Sequence, residues 1–393
     1  MKRARAISYY LSHPIQYFSP LLRELAKEVD LSVYYLSDAS VRGNLDKGFG
    51  QSVKWDTPLL EGYAYTFVKN YSWRKSLTNR FADLFNPGVL GCLLRDKSPV
   101  IIVNGWSYFS VLIIILFAKS LGKEVWLRAE NPLNQELRKS RIVIFAKRVV
   151  LQYGLFKIVD RFLYIGSESK KFFKFFGVKE AHLVFTPYAV DNDQFQKDYN
   201  GLRSDRTVIK QKLGLPGEGR IILFVGKYIA KKRPLDLLRA FLQLSQPGAW
   251  LVMVGEGELR EQMEDYCKQE HLENVVFTGF VNQSWIAQYY SVGDVFVMCS
   301  GMGETWGLAV NEAMNFALPV IVTDTCGSSY DLVEHGVNGF VVGEGNVGQL
   351  KDALEKIIGD DAFRQEAGRR SLLKIREYSV ENIVKHLKVA LSE

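Results

Sequence analysis

Short apolar runs alternate with longer segments of helical periodicity along most of the chain. In the first half, apolar runs of strand length lie at residues 4–10, 31–35, 65–68, 100–103, 124–127, 161–164 and 182–185, and helical patterns at residues 20–29, 107–121, 135–159 and 167–176. In the second half, apolar runs lie at residues 220–225, 250–254, 275–278, 295–298 and 320–322, and helical patterns at residues 233–244, 258–269, 308–315 and 347–358. This alternation is typical of α/β proteins and predicts a parallel, helix-covered sheet in each half.

The length of the chain indicates more than one domain. It contains 393 residues, and a single hydrophobic core stops growing beyond about 250–300 residues. A boundary is predicted at residues 186–193, which follow a strand pattern and contain a proline, and residues 195–219 are polar and interrupted by glycine, as in a linker. The sequence therefore predicts a first domain at residues 1–190, a second at residues 191–376 and a further helix at residues 377–393.

The two predicted domains differ in charge. Residues 1–190 contain 28 Lys and Arg against 15 Asp and Glu, a net charge of +13, whereas residues 191–393 contain 22 against 28, a net charge of −6. Because one half is basic and the other is acidic, we expect the two halves to bind different partners. Nucleic acid, an anionic membrane surface and an acidic substrate all fit the basic half by charge. The basic half lacks RNP, KH and helix-turn-helix signatures, so a nucleic-acid partner is not expected.

Several common sites are not expected in this chain. The sequence contains no G-x-x-x-x-G-K-[ST] loop, and its five histidines and four cysteines lack the spacing of a zinc site. The triplet Asp191-Asn192-Asp193 resembles the paired carboxylates that hold a divalent metal, but it lies in the predicted linker. Because Asp and Asn commonly form turns, we interpret it as a turn, and no metal is expected.

Sequence features also bear on where the protein works. The longest uninterrupted apolar stretch, at residues 111–118, is far shorter than the ~20 residues of a membrane-spanning helix. Residues 1–5 are basic, but the apolar segment and cleavage site of a signal peptide do not follow them. The four dispersed cysteines favour a reducing compartment. We therefore expect a cytoplasmic protein.

One candidate site follows the apolar run at residues 295–298. A glycine-rich loop there leads into a helix that begins near Gly307, with Glu304 in the loop and Glu312 in the helix. The first N–H groups of a helix attract anions or hydroxyl oxygens, and the carboxyl ends of parallel strands are where open α/β sheets bind ligands. Two carboxylates there suit a neutral, hydroxyl-rich ligand such as a sugar. The alternative is one loop acid and one solvated helix acid.

A second candidate site follows the run at residues 220–225. Gly226 ends this strand pattern, and four cations, Lys227, Lys231, Lys232 and Arg233, precede the next helix. Cations are unfavourable at a helix N-terminus unless an anion binds there, so the cluster favours a diphosphate. The alternative is a solvated basic surface.

Together these segments resemble the glycosyltransferase family four (group one) enzymes, which have the GT-B architecture. The resemblance rests on E-x7-E in "GETWGLAVNEAMNFALPVIVTD", and on "VGKYIAKKRPLDLLRAF", "VGEGELR", "VVFTGFV" and "GSSYDLVEHGVNGFVV". Their order covers the family's C-terminal domain, from about residue 218 to 345. The resemblance implies two Rossmann-like domains facing each other across a cleft, with the C-terminal helix returning to the N-terminal domain.

The resemblance also implies roles for individual residues. Lys227 and Lys232 would hold the donor diphosphate, Glu304 and the backbone N–H groups after it the donor sugar, and Glu312 the ribose hydroxyls; Glu304, Lys227 and Lys232 are the predicted catalytic residues. The other predicted donor-binding residues are Gly226, Gly255, Phe280, Gly303, Thr305, Trp306, Gly307 and Leu308. No cofactor or metal is expected beyond the nucleotide-sugar donor.

The first domain departs from the family pattern. The glycine-rich loop that often follows the first strand reads Ser12-His13-Pro14 here, and a histidine found in many relatives is absent from Arg128-Ala129-Glu130. His13, Arg128 and Glu130 are therefore the acceptor-side candidates. For His13 the alternative is a turn residue, and for Arg128 with Glu130 a structural ion pair.

These observations lead to one main hypothesis and two alternatives. The main hypothesis is a retaining glycosyltransferase that moves a sugar from a nucleotide diphosphate sugar to a glycan or lipid-linked acceptor in cell-surface polysaccharide synthesis. The alternatives are a nucleotide-sugar epimerase on the same fold and a basic nucleic-acid-binding protein. Peripheral binding to an anionic membrane is also predicted, with the Lys and Phe residues of 170–176 as the local candidate; the alternative places those Phe side chains in the core.

Overall fold

The structure is a computed structural model, which describes residues 6–43, 45–46, 51–52, 55–73 and 80–393. Residues 1–5, which include the first two positions of the predicted strand at residues 4–10 and the basic N-terminus, lie outside the described residues. The chain divides into two compact units. Unit 1 comprises Met1–Asn44, Thr57–Tyr188 and Val380–Glu393, and unit 2 comprises Leu45–Asp56 and Ala189–Ser379.

The first 188 residues contain nine described strands and six described α-helices. The strands are β1 (Ile7–Leu11), β2 (Leu31–Tyr35), β3 (Leu45–Asp46), β4 (Gln51–Ser52), β5 (Ala64–Phe67), β6 (Val100–Asn104), β7 (Glu124–Ala129), β8 (Arg161–Tyr164) and β9 (Leu183–Phe185). The helices are α1 (Phe18–Glu28), α2 (Val89–Arg95), α3 (Phe109–Ser120), α4 (Leu133–Glu136), α5 (Arg141–Gln152) and α6 (Ser167–Phe175). Strands β3 and β4 pair only with each other, antiparallel, and belong to unit 2.

Unit 1 is built on a seven-stranded sheet of order β5-β2-β1-β6-β7-β8-β9. Every neighbouring pair in it is parallel. The interior strand β1 is buried along its whole length and the central strand β6 along its first four residues, because helices cover both faces of a parallel sheet. The parallel sheet predicted for the first half is therefore confirmed.

The rest of the chain contains six strands and ten α-helices. The strands are β10 (Arg220–Val225), β11 (Ala249–Val254), β12 (Val275–Phe277), β13 (Val295–Met298), β14 (Val320–Thr323) and β15 (Gly339–Val342). The helices are α7 (Asn192–Leu202), α8 (Arg206–Lys212), α9 (Pro234–Leu242), α10 (Arg260–Gln269), α11 (Gln283–Val292), α12 (Leu308–Asn315), α13 (Ser329–Leu332), α14 (Val347–Gly359), α15 (Asp361–Ile375) and α16 (Val380–Ser392). Unit 2 has a parallel sheet of order β12-β11-β10-β13-β14-β15, as predicted for the second half.

Two sequence-based element predictions are wrong. The helix predicted at residues 135–159 is interrupted, because α4 ends at Glu136 and Ser140 then caps α5 by accepting a hydrogen bond from the Val143 N–H. The linker predicted at residues 195–219 instead contains α7 and α8. The Asp191 side chain caps α7 by accepting from the Gln194 N–H at 3.1 Å, and Phe195 packs edge-on against Phe316. The triplet interpreted as a turn is therefore the beginning of α7, with Asp191 as its cap.

The two segments that join a unit from a distance in sequence are held by specific contacts. Helix α16 packs against α1 and β9 within unit 1, where Leu387 is buried. In unit 2, the side chain of Asp56 accepts a hydrogen bond from the Ser284 N–H at 3.2 Å, at the N-terminus of α11. The described residues from Leu45 to Asp56, which the prediction placed in the first domain, therefore group with unit 2.

The helix proposed as a membrane contact has its aromatic face in the core. Phe172, Phe173 and Phe176 are completely buried, and the lysines between them form ion pairs at the surface: Lys170 and Lys174 with Glu180, and Lys171 with Glu168. The structure therefore shows the alternative arrangement, in which these phenylalanine side chains lie in the core. In the described part of the chain, no helix has both the length and the apolar character needed to cross a bilayer.

The packing of α16 gives a first testable prediction. Replacing the buried Leu387 by Ala should lower the free energy of unfolding by about 2–5 kcal/mol, because it removes core contacts and leaves a cavity. Val389 lies on the same helix but is 55% exposed, so Val389→Ala should change it by less than about 0.5 kcal/mol. Urea denaturation, with hydrogen exchange of α1 and β9 peptides as a local readout, measures both. Equal effects of the two variants would contradict the packing of α16 on unit 1.

Candidate functional site

The ends of two neighbouring strands bring the two sequence motifs of unit 2 together. Strands β10 and β13 are adjacent and parallel, so the loops that follow them leave the same edge of the sheet. The loop after β10 contains a short 3-10 turn, Ala230–Lys232, and the loop after β13 contains Gly303 and Glu304. The N–H of Gly301 donates to the carbonyl of Lys231 at 2.8 Å, which joins the two loops directly.

The centre of this site is an ion pair between Lys232 and Glu304. Nζ of Lys232 lies 2.5 Å from Oε2 of Glu304, and Nζ of Lys231 lies 3.7 Å from the same oxygen. Lys231 also donates to the carbonyl of Gly303 at 3.2 Å. Glu304 is only 8% exposed. The predicted diphosphate lysine and the predicted sugar-binding carboxylate are therefore in direct contact.

The charge state of Glu304 follows from these neighbours. Burial alone would raise the pKa of its carboxyl, but the ammonium groups of Lys232 and Lys231 outweigh this and hold the pKa below its ordinary value. Glu304 is therefore an ionised hydrogen-bond acceptor near neutral pH. A buried carboxylate beside two cations accepts hydrogen bonds from hydroxyl groups, and the cations attract anions.

Two residues in left-handed backbone conformations shape the loops around this ion pair. Arg233 has φ 51° at the junction of the 3-10 turn and α9, and the thiol of the buried Cys299 donates to its carbonyl at 3.2 Å. Gly307 precedes α12 with φ 93°, and a Cβ atom there would lie 2.9 Å from Sγ of Cys326. Glycine is required at position 307 both by the dihedral angle and by this close approach. Helix α12 therefore starts immediately after the loop that contains Glu304, and its first N–H groups have no acceptor within the helix.

The predicted donor-binding residues next to Glu304 differ in their exposure. Gly303 is exposed and Thr305 and Leu308 are half-buried. Trp306 is buried, and its indole N–H donates to Oδ1 of Asn311 at 2.8 Å, so its side chain contributes to the interior of unit 2. Only the backbone of Trp306 remains a candidate for ligand contact.

Further predicted residues lie at the ends of neighbouring strands. Gly226 and Gly255 follow β10 and β11, and their backbones approach so closely that a Cβ on Gly255 would lie 1.9 Å from the carbonyl oxygen of Gly226. Phe280 follows β12 and packs edge-on against Trp55. Lys227 is half-buried and also follows β10.

Glu312 accepts hydrogen bonds from two side chains of α11. Its carboxylate accepts a hydrogen bond from the Tyr290 hydroxyl at 2.7 Å and one from Nε2 of Gln283 at 3.2 Å, both on α11. Glu312 is buried. The predicted role of Glu312 toward the ribose hydroxyls stays a prediction.

Sequence reasoning missed three groups that support the site. Lys231 was grouped with the basic cluster but not with the catalytic residues, although it contacts the Glu304 loop twice. Arg233 pairs with Asp236 at 2.6 Å and lies 3.9 Å from Glu344, which follows β15. Tyr290 and Gln283 belong to α11, a helix that the sequence patterns do not predict. The cation cluster after Gly226 pointed to Lys231 and Arg233, whereas no sequence pattern pointed to Tyr290 and Gln283.

In unit 1, the three acceptor-side candidates lie at the carboxyl ends of β1 and β7. The guanidinium of Arg128 lies between the rings of Phe18 and Tyr188, at 4.8 and 4.7 Å from their centres. Its Nη1 is 3.6 Å from Oε1 of Glu130, and its Nε and Nη1 make no hydrogen bond to any described residue although the side chain is buried. The structure therefore brings Arg128 and Glu130 together as a loose ion pair with unused donors.

His13 lies in the loop after β1. Its Nδ1 is 2.9 Å from the Ser12 hydroxyl, and burial lowers its pKa to about 4. The imidazole is therefore neutral near pH 7 and acts as a hydrogen-bonding group rather than a cation. In the described residues, no cluster of three or more His, Cys, Asp or Glu side chains is arranged to hold a metal ion.

Comparison with known proteins identifies relatives of about half of the chain. Residues 205–372 match the model of the family described as glycosyl transferases group 1. An uncharacterised glycosyltransferase of Methanocaldococcus jannaschii, MJ1607, is 30% identical over 215 residues, which is 51% of this chain and 55% of that protein. The capsular polysaccharide biosynthesis glycosyltransferase CapM of Staphylococcus aureus is 24% identical over 206 residues, 51% of this chain and 50% of CapM. The chain thus spans about half the length of these curated relatives.

A solved structure resembles the whole chain. The Anabaena protein Alr3699/HepE, crystallised with UDP and glucose, matches with a TM-score of 0.73 and 17% identity, covering 99% of both chains. At this identity the match establishes the fold and nothing about ligands. The predicted two-domain α/β fold of GT-B type is confirmed.

The Lys232–Glu304 ion pair predicts a specific pH dependence of stability. The pKa of Glu304 is lower in the folded protein than its ordinary value of 4.5, so its contribution is present above that pH and is lost as the pH falls through the folded value. Glu304→Gln should therefore lower the free energy of unfolding by about 1.5–3 kcal/mol near neutral pH. Thermal unfolding at a series of pH values should show this difference shrinking below pH 4.5. The exposed Glu258→Gln is the control, and a pH-independent difference would contradict the ion pair.

Proposed function

Since residues 205–372 of this chain match the model of the family described as glycosyl transferases group 1, we propose that the protein is a retaining glycosyltransferase. It moves a sugar from a nucleotide diphosphate sugar to a glycan or lipid-linked acceptor in cell-surface polysaccharide synthesis. The observation that carries this proposal is the contact of Lys231 and Lys232 with the buried Glu304 just before the start of α12. The polysaccharide context is supported by similarity to CapM.

The cluster has the charges that a nucleotide-sugar donor requires. A diphosphate carries negative charge that Lys232, with Lys231 and Lys227, can neutralise without a metal, and the first N–H groups of α12 add further donors. The carboxylate of Glu304 accepts hydrogen bonds from sugar hydroxyls, and the carboxylate of Glu312 has the same capacity toward ribose. The lysines would therefore bind the diphosphate of the donor, Glu304 the sugar and Glu312 the ribose.

The same groups stabilise the charge that develops during transfer. When the bond between the anomeric carbon and the diphosphate oxygen breaks, negative charge grows on the leaving phosphate, beside the lysines that hold it. The acceptor hydroxyl loses its proton as it forms the new bond, and the leaving phosphate is the base within reach. The lysines thus stabilise the transition state more than the bound donor.

Unit 1 supplies the acceptor side of the proposal. Arg128 has unused N–H donors between two aromatic rings, and Glu130 and the neutral His13 add acceptors at the same edge of the sheet. A sugar ring with hydroxyls packs well against such aromatic and polar groups. We expect the protein to work in the cytoplasm, at the face of a membrane that carries the acceptor.

A panel of nucleotide sugars tests the proposed activity. A ligand that binds only the native state raises the melting temperature, so thermal unfolding with UDP-, GDP-, ADP- and TDP-sugars identifies the donor. Release of nucleoside diphosphate is then measured with and without a cell-envelope lipid extract as acceptor. Acceptor-dependent release is expected. Conversion of the sugar without acceptor would indicate the epimerase, and no stabilisation by any donor would overturn the proposal.

The role of Glu304 gives a prediction on rate. Glu304→Gln should reduce acceptor-dependent turnover well beyond threefold, since a neutral amide offers one acceptor oxygen where the carboxylate offers two. The exposed Glu258→Gln should leave turnover unchanged. Activity of Glu304→Gln within about threefold of the unmodified protein, less than ~1 kcal/mol of transition-state stabilisation, would remove Glu304 from the mechanism.

The lysines give a prediction on affinity. Lys227→Ala combined with Lys232→Ala should weaken binding of the nucleoside diphosphate by about 1.5–3 kcal/mol for each lost charge-assisted hydrogen bond. The exposed pair Lys197→Ala and Lys268→Ala changes the net charge equally and serves as the control. Isothermal titration calorimetry measures both double variants. Equal affinities would locate the phosphates elsewhere.

A further inference from the structure

Helix α5 presents an apolar face to solvent. Ile142 is 81% exposed, Phe145 69% and Val150 64%, and Val143, Ala146 and Val149 are exposed as well. At 100° per residue these six positions cover one arc of roughly 160°, and that arc contains no polar residue. Leu137 and Tyr153, just outside the two ends of the helix, are also exposed. Scattered surface hydrophobics are normal, but a continuous face of this kind marks an interaction surface.

The opposite face of α5 holds the helix firmly to unit 1. Leu151 is buried, and Nζ of Lys147 pairs with Glu136 at 2.6 Å and lies 4.8 Å above the ring of Phe172. The guanidinium of Arg148 lies 4.6 Å from the ring centre of Phe175. The helix is therefore anchored through its polar side and its one buried leucine, which leaves the apolar arc outward.

The charge around α5 selects one kind of partner. Residues 137–153 contain five cations, Arg138, Lys139, Arg141, Lys147 and Arg148, and no Asp or Glu. Three of them, Arg138, Lys139 and Arg141, lie at the exposed N-terminal end of the helix. A second copy of this chain would bring the same cations, within a half of net charge +13, against each other. An anionic lipid surface complements both the apolar arc and the cations.

We propose that α5, together with the exposed basic residues at its N-terminus, is the surface by which this protein binds an anionic lipid bilayer. The helix lies in the plane of the interface, with Ile142, Phe145 and Val149 among the acyl chains and the cations among the headgroups. Arginine and lysine at the edge of such a face keep their charges in the headgroup region. This inference places membrane contact on α5 instead of α6, whose Phe172 and Phe173 are buried.

Vesicle co-sedimentation tests this surface. The full chain is mixed with vesicles of phosphatidylcholine alone or with added phosphatidylglycerol, at low salt and at about 0.5 M salt, where the screening length falls to a few ångströms. Ile142→Ser with Phe145→Ser should lower the partition coefficient by roughly a hundredfold, since each buried large apolar side chain contributes about a factor of ten. Arg138→Gln with Arg141→Gln should lower it by roughly fivefold per cation on anionic vesicles only.

A matched control and a second readout keep the test specific. Val208→Ser with Leu373→Ser changes two exposed apolar side chains of unit 2 and should bind vesicles as the unmodified chain does. Substitutions at exposed positions leave the fold intact, which circular dichroism verifies. Hydrogen exchange of peptides from residues 137–153 should slow when anionic vesicles are added.

Each outcome decides the proposal. Binding to anionic vesicles that the α5 variants lose and the control retains supports it. A chain that stays in the supernatant at low salt overturns it, and so does binding that the α5 variants keep. A concentration-dependent dimer that Ile142→Ser and Phe145→Ser abolish, without vesicle binding, would assign the face to a second copy and overturn it too. The assay contains no donor or acceptor, so its result is independent of the proposed transferase activity.

Discussion

The candidate site depends on a constraint of parallel sheets: all loops that follow the strands leave from one edge. Lys232 and Glu304 are far apart in sequence, and only the adjacency of β10 and β13 brings them into contact. The residues that follow β11, β12 and β15 reach the same edge for the same reason. A change in strand order would therefore dismantle the site even if every residue in it were retained.

The ion pair at that edge is both a stability feature and a chemical one. A carboxylate that is largely removed from water is costly unless cations compensate it, and here two lysines do so. The same lysines would otherwise repel one another at the start of a helix. The pairing thus keeps three ionised groups in a small volume, ready to exchange partners with the phosphates and hydroxyls of a ligand.

Sequence patterns predicted the two sheets well because, in a protein of this composition, apolar runs of strand length usually form buried strands. They failed where local capping decides the structure: Ser140 divides a long helical pattern, and Asp191 starts a helix inside a polar segment. At the site, Glu304 and Lys232 were identifiable, but their contact was not, since it depends on strand order. The Glu312 contacts and the exposed face of α5 were out of reach, because periodicity shows that a face is apolar and not what covers it.

The return of α16 to unit 1 has a consequence for how the protein is made. The ribosome synthesises the sheet strands of unit 1 first, then nearly all of unit 2, and only then the helix that packs against α1 and β9. Unit 1 therefore lacks α16 while about half of the chain is translated. Unit 2 meets no such delay for its own sheet. During that interval the surface of α1 and β9 that α16 later covers is exposed. We expect chaperones to bind nascent chains there.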